Sequence, residues 1–176
     1  LLLADLRRQA PTAVAAGTVP SAARTGFLAQ ALTIITGPWS RIVLLVAFVE
    51  GAAGFGVLAI WASHLHAAVG LSLSAAGLVV AGFGLGGMVY MATAKVWIGR
   101  SAPSALAFAG VALVGVATPV LGLVPVWWAS VPASLVAGFG FFMFHNSMQT
   151  NATHMAPQAR GTAVSLFAAF LFLGQS

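Results

Sequence analysis

The 176-residue chain is 60% hydrophobic and 5% charged, with seven Lys and Arg against two acidic residues and a formal net charge of +5. Soluble domains carry about 25% charged residues, so lipid rather than water is the main solvent here. Seven scattered basic residues make no patch for nucleic acid, the absence of cysteine removes disulfides and thiolate chemistry, and Asp5 and Glu50 as the only carboxylates leave no acid pair for hydrolysis or metal binding.

The chain opens with LLLADL, residues 1–6, which has no basic residue ahead of its apolar stretch and no small-residue cleavage site. It is therefore expected to be the end of a preceding membrane helix rather than a signal peptide. Residues 7–40 follow as a linker rich in Ala, Pro, Thr and Gly. Within it, Phe27, Leu28, Ala31, Leu32 and Ile35 fall at helical spacing, which predicts a short helix lying on the membrane surface or packed against the bundle.

From residue 41 to 176 the pattern predicts an all-α transmembrane bundle. A span needs about 20 apolar residues. Between Arg41 and Lys95 the only charge is Glu50, and between Arg100 and Arg160 there is none, so each interval holds two spans. The five predicted spans are 42–62, 75–98, 104–122, 126–152 and 161–176. The first turn is expected near HLHAAVGLSLS. The second is expected near TPVLGLVPVWW, where Pro119, Gly122 and Pro125 break the helix and Trp127 and Trp128 suit the interface. Every Lys and Arg then falls on one side of the membrane. The positive-inside rule makes that side cytoplasmic, residues 7–40 included.

Inside the first span, Glu50 lies eight residues beyond Ile42, about 12 Å into the membrane. A charge at that depth costs about 2.5–3.5 kcal/mol and belongs against a cavity or the bundle interior. Desolvation disfavours the ionised form of a carboxyl, so such a group can take up and release a proton, as proton coupling requires. A protonated carboxyl serving as a hydrogen-bonding link between helices is the structural alternative.

The second span contains AGFGLGGM, in which Gly82, Gly84 and Gly87 spell the dinucleotide-binding pattern. No acidic residue follows to bind a ribose, so the nucleotide reading fails. Gly82 and Gly86 instead have the G-x-x-x-G spacing that lets helix backbones approach closely in lipid.

The fourth span ends in FHNSMQTNATHM. His145 and Gln149 are four apart, as are Asn146 and Thr150, so their side chains share one side of a helix that cannot face lipid cheaply. His145, Asn146 and Gln149 are candidates for substrate contact; helix packing is the alternative role. Ser147 and Ser165 lie outside any G-x-S-x-G frame and have no acid to orient a base, so no enzyme activity is expected. Nothing calls for a metal or another cofactor.

Together, GPWSRIVLLVAFVEG and HNSMQTNATHMAPQARGTAVSLF, with the P-x-x-R-G turn of Pro157, Arg160 and Gly161, resemble the carboxy-terminal half of a major facilitator superfamily transporter. The likeness runs from the tail of a sixth helix to a truncated eleventh. It implies a partner amino-terminal bundle and alternating access around a midplane site, with a small-molecule substrate moved by proton-coupled efflux across a bacterial inner membrane. It also implies gating by Arg160, Lys95 and Arg100, although KVWIGRSAP lacks the Asp of the family's basic loop. A non-transporting receptor or scaffold on the same fold is the second class these residues allow.

Overall fold

The computed structural model describes residues 26–176, all of it helix and short turns. The expected tail of a preceding span and most of the linker lie outside the described residues. α1 spans Phe27–Thr36 and α2 Pro38–Glu50. A π-helical segment, Gly51–Phe55, leads without a break into α3, Gly56–Val69. Then come α4, Leu73–Ile98, α5, Pro103–Leu123, α6, Trp127–Met155, and α7, Arg160–Gln175.

Four helices are long and apolar enough to cross a bilayer: Pro38–Val69, Leu73–Ile98, Pro103–Leu123 and Trp127–Met155. Side chains such as Leu78, Phe108, Val116 and Leu123 are more than two-thirds exposed, which is stable only against lipid. The chain is thus a membrane protein. α7 falls where the fifth span is predicted, and its 16 residues rise about 24 Å. That is short of the ~20 residues a full crossing needs.

Several boundaries differ from those the sequence predicts, each for a local reason. α1 stops at Thr36, just before Pro38, which opens α2 in its first turn, where its missing N–H has no intrahelical partner to lose. The first span runs on to Val69, beyond the expected 62, with His64 and His66 inside it. Gly70 at φ 74° stops it, and the Leu71 carbonyl oxygen lies 2.6 Å from His66 Nδ1. Ser72 then caps α4 by accepting from the Ala75 amide. Pro119 and Gly122 do not break α5, which runs to Leu123; the turn is made at residues 124–126, including Pro125. α6 continues to Met155, three residues past the predicted end.

α6 is the centre of the bundle, flanked by α4 and α5 and touching α2 and α7. Phe141 anchors the main core, with ring centroids 5.4 Å from Phe55, 5.4 Å from Phe83 and 5.7 Å from Phe142. Close approach is made by glycines in both helices of a pair. A Cβ on Gly86 would overlap the Leu135 carbonyl, and one on Gly138 would overlap that of Phe83, so α4 and α6 cross backbone to backbone. Ser134 reinforces the crossing by donating to the Val79 carbonyl at 2.7 Å. α5 meets α6 in the same way at Gly110 and Gly140.

α1 resolves the two readings of its apolar face. Ala31 and Ile34 are buried, while Phe27, Leu28, Leu32 and Ile35 remain exposed. Thr162 of α7 donates to Gln30 at 2.8 Å. One side therefore packs on the bundle and the other leaves an apolar stripe exposed.

Candidate functional site

Glu50 is the last residue of α2, and the widened π turn begins immediately after it. Such insertions recur at functional sites because the extra residue redirects the side chains around it. Here Gly51 lies against the Leu171 carbonyl of α7 and Gly54 against the Phe141 ring, so the distorted turn is clamped between α6 and α7. The Glu50 side chain is 1% exposed. Its Oε1 lies 2.8 Å from Nδ1 of His145.

The depth of the two residues explains their meeting. Glu50 follows Pro38 by 12 residues, about 18 Å of rise, and His145 precedes the end of α6 by 10, about 15 Å. Both ends belong to the side that carries the described Lys and Arg residues. The His145 ring stacks on Phe141, one turn earlier, at 6.1 Å and 10°, and meets Phe167 of α7 at 5.8 Å. Two aromatic rings thus hold the imidazole against the acid. This is the only acid–base side-chain contact among the described residues. Its hydrogen bond can form with the proton on either nitrogen or oxygen.

Glu50 Oε2 is buried and has no hydrogen-bond partner. The acid forms part of the wall of a cleft of about 520 Å³ between α2–α3, α5 and α6, otherwise lined by apolar groups such as Val49, Val57, Val114 and Phe144. The bare oxygen itself has almost no accessible surface, and apart from Thr118 the rest of the cleft carries no side-chain polarity.

Asn146 points elsewhere: its Nδ2 donates to the Tyr90 hydroxyl of α4 at 3.0 Å. Tyr90 is fully buried and packs edge-on against Phe139 at 5.5 Å. The sequence reading misses Tyr90, yet it continues the four-residue spacing of Gly82 and Gly86 and so lies on the same face of α4. Tyr90→Phe should lower stability by about 1 kcal/mol, the worth of one hydrogen bond. Detergent thermal unfolding with no loss would mean that Asn146 has another partner.

Gln149 is exposed, one turn from the buried pair. Lys95, Arg100 and Arg160 are exposed too, and none forms an ion pair among the described residues. Gly82 faces Ser134 of α6, whose Oγ would lie 3.2 Å from an added Cβ, and Gly84 faces open space.

Comparison with protein-family models, with curated proteins and with solved structures finds no match. The class defined by the coordinates is an all-helical membrane bundle in which a buried acid meets a part-buried imidazole.

Proposed function

We propose that the protein is a secondary transporter of the major facilitator type, moving a small molecule by alternating access and coupled to protons through Glu50 and His145. The observation that carries this reading is the incomplete satisfaction of Glu50. A purely structural buried acid has both oxygens hydrogen-bonded, because an orphaned polar atom costs about 1–3 kcal/mol. Glu50 keeps one oxygen on His145 and leaves the other bare beside a cleft. An acid left half-satisfied in this way suits proton exchange better than a fixed structural link. Its position on an interior helix face and the π turn behind it favour a moving part over a fixed link.

In this reading Arg160, Lys95 and Arg100 occupy the cytoplasmic end of a bacterial inner-membrane protein. They meet charged partners only in other states of the cycle, and the direction is export. Gln149 lies between the Glu50–His145 pair and that end, and Asn146 steadies α6 against α4 beside it.

The test uses the protein in vesicles with a trapped pH-sensitive dye and a panel of small molecules supplied on one side. Substrate-driven proton movement is expected, and Glu50→Gln should reduce it at least about tenfold, as the loss of a proton-transferring group does elsewhere. Movement unchanged by Glu50→Gln removes the pair from the mechanism. Ligand binding without flux points to a receptor.

A further inference from the structure

α1 is uncharged throughout, and its outer surface is apolar. Phe27, Leu28, Leu32 and Ile35 are exposed along it, Leu28 at 75%. The two exposed threonines turn their hydroxyls inward, Thr33 donating to the Ala29 carbonyl and Thr36 to that of Leu32, each at 2.9 Å. That arrangement costs least where no water competes for the hydroxyl. The remaining polar side chain, Gln30, accepts from Thr162 of α7. Ten residues rise about 15 Å, half of the ~30 Å hydrocarbon core, so α1 is too short to cross and suits the plane of the interface.

The helix that follows fixes the depth of this surface. The first span has 32 residues, about 48 Å, which exceeds the hydrocarbon core and carries both ends into the headgroups. His64 and His66 mark one end. Trp39, half exposed in the first turn of α2, marks the other. Arg41 stands in the same turn and is exposed. Its Nε donates to the Ile35 carbonyl at 3.2 Å, one of the last carbonyls of α1, and this bond holds the guanidinium at the bend between the two helices. Among the described residues no carboxylate answers its charge, since Glu50 lies deeper in the span against His145.

We infer that the bend between α1 and α2 seats an anionic phospholipid of the leaflet at the basic end of the bundle. Its phosphate lies on the Arg41 guanidinium and its acyl chains lie against Leu28, Leu32 and Ile35 of α1. Two features select lipid over a protein partner. The exposed face of α1 leads into Ile42 and Leu45, which are exposed on the outside of the first span, and the cation stands at the depth of the phosphates. Through Gln30 and Thr162 the seated helix is tied to the first turn of α7. The assignment rests on membrane position and charge, and holds whether or not the protein is a carrier.

The chain contains no cysteine, so a single introduced one can be labelled cleanly. Leu32→Cys carrying a nitroxide, in vesicles of mixed phosphatidylcholine and phosphatidylglycerol, should collide with oxygen in preference to a water-soluble nickel chelate. Gln158→Cys, on the exposed turn before α7, should show the reverse. A fluorophore at Leu32→Cys then reads the neighbouring lipid through quenching by brominated acyl chains. Brominated phosphatidylglycerol should associate about fivefold more strongly than brominated phosphatidylcholine, the preference one interfacial arginine supplies. Arg41→Gln should bring that ratio to about one, and Arg41→Lys, which keeps the charge, should retain most of it.

A Leu32 label that favours nickel faces water, and one shielded from both reagents is covered by protein, whether another helix or a second copy; either result overturns the assignment. Equal quenching by the two lipids overturns it too, as does a preference that survives Arg41→Gln or is lost equally in Arg41→Lys.

Discussion

Gly86→Leu is expected to destabilise the bundle by about 3 kcal/mol or to prevent its assembly, whereas Gly84→Leu, two residues away, should change stability by less than ~0.5 kcal/mol. The two glycines share one helix and one stretch of sequence, and they differ in what faces them. A side chain at Gly86 starts on the Leu135 carbonyl oxygen and close to the Phe139 amide, backbone atoms that cannot rotate away. Accommodation would require α4 and α6 to separate along the crossing that also holds Gly138 against Phe83. Ser134 would then lose its bond to Val79. At Gly84 a side chain enters open space, where leucine in lipid is welcome. Gly138→Leu, on the opposite helix, should match Gly86→Leu in effect. Denaturation in mixed detergent measures all three, and equal stability of the Gly86 and Gly84 variants would show that these helices do not touch in the protein.

That contrast shows how much of the fold is legible in sequence. Long apolar intervals bounded by single charges give the number and order of the first four helices, since the energy of exposing polar backbone to lipid leaves the chain few choices. Spacing of four between Gly82 and Gly86 places both on one face, and the structure turns that face toward α6. Helix ends are less legible, because in lipid a proline need not stop a helix as it does in water, and a histidine pair is no helix breaker in either. Pro119 and Pro132 lie inside helices, and His64 and His66 continue one. The π turn after Glu50 has no sequence signal beyond the nearby Gly51 and Gly54. It is set by packing against Leu171 and Phe141, contacts distant in sequence.

The site is legible in its members and not in its pairing. Glu50 and His145 are separate polar residues in the sequence, 95 positions apart. Their common depth was nevertheless available: one lies eight residues into the first predicted span and the other seven before the end of the fourth, both measured from the basic side. Equal depth in antiparallel helices is the signal that pairs a lone acid with a lone histidine inside the spans. The bond between Asn146 and Tyr90 follows the same logic, since Tyr90 lies eight residues before the end of α4.

The second large effect concerns that pair, and its two halves differ in size. His145→Ala should cost about 3 kcal/mol or more, because it leaves Glu50 buried with both oxygens unpartnered. Glu50→Gln should cost no more than about 1 kcal/mol, since a neutral amide can keep the bond to His145 and carries no charge to bury. Replacing both partners at once, as Glu50→Leu with His145→Phe, should return stability to the wild-type level or above it. The apolar pair enters surroundings made by Phe141, Phe167 and the valines of the cleft, and no desolvation penalty is left to offset. The same double variant should move no protons in vesicles. Stability regained while coupling is lost would mean that the chain retains a costly pair for its chemistry. Should the double variant instead unfold as readily as His145→Ala, the pair is a structural link between α2 and α6, and the proton-coupling role fails with it. A thermodynamic cycle over the four proteins measures the interaction directly.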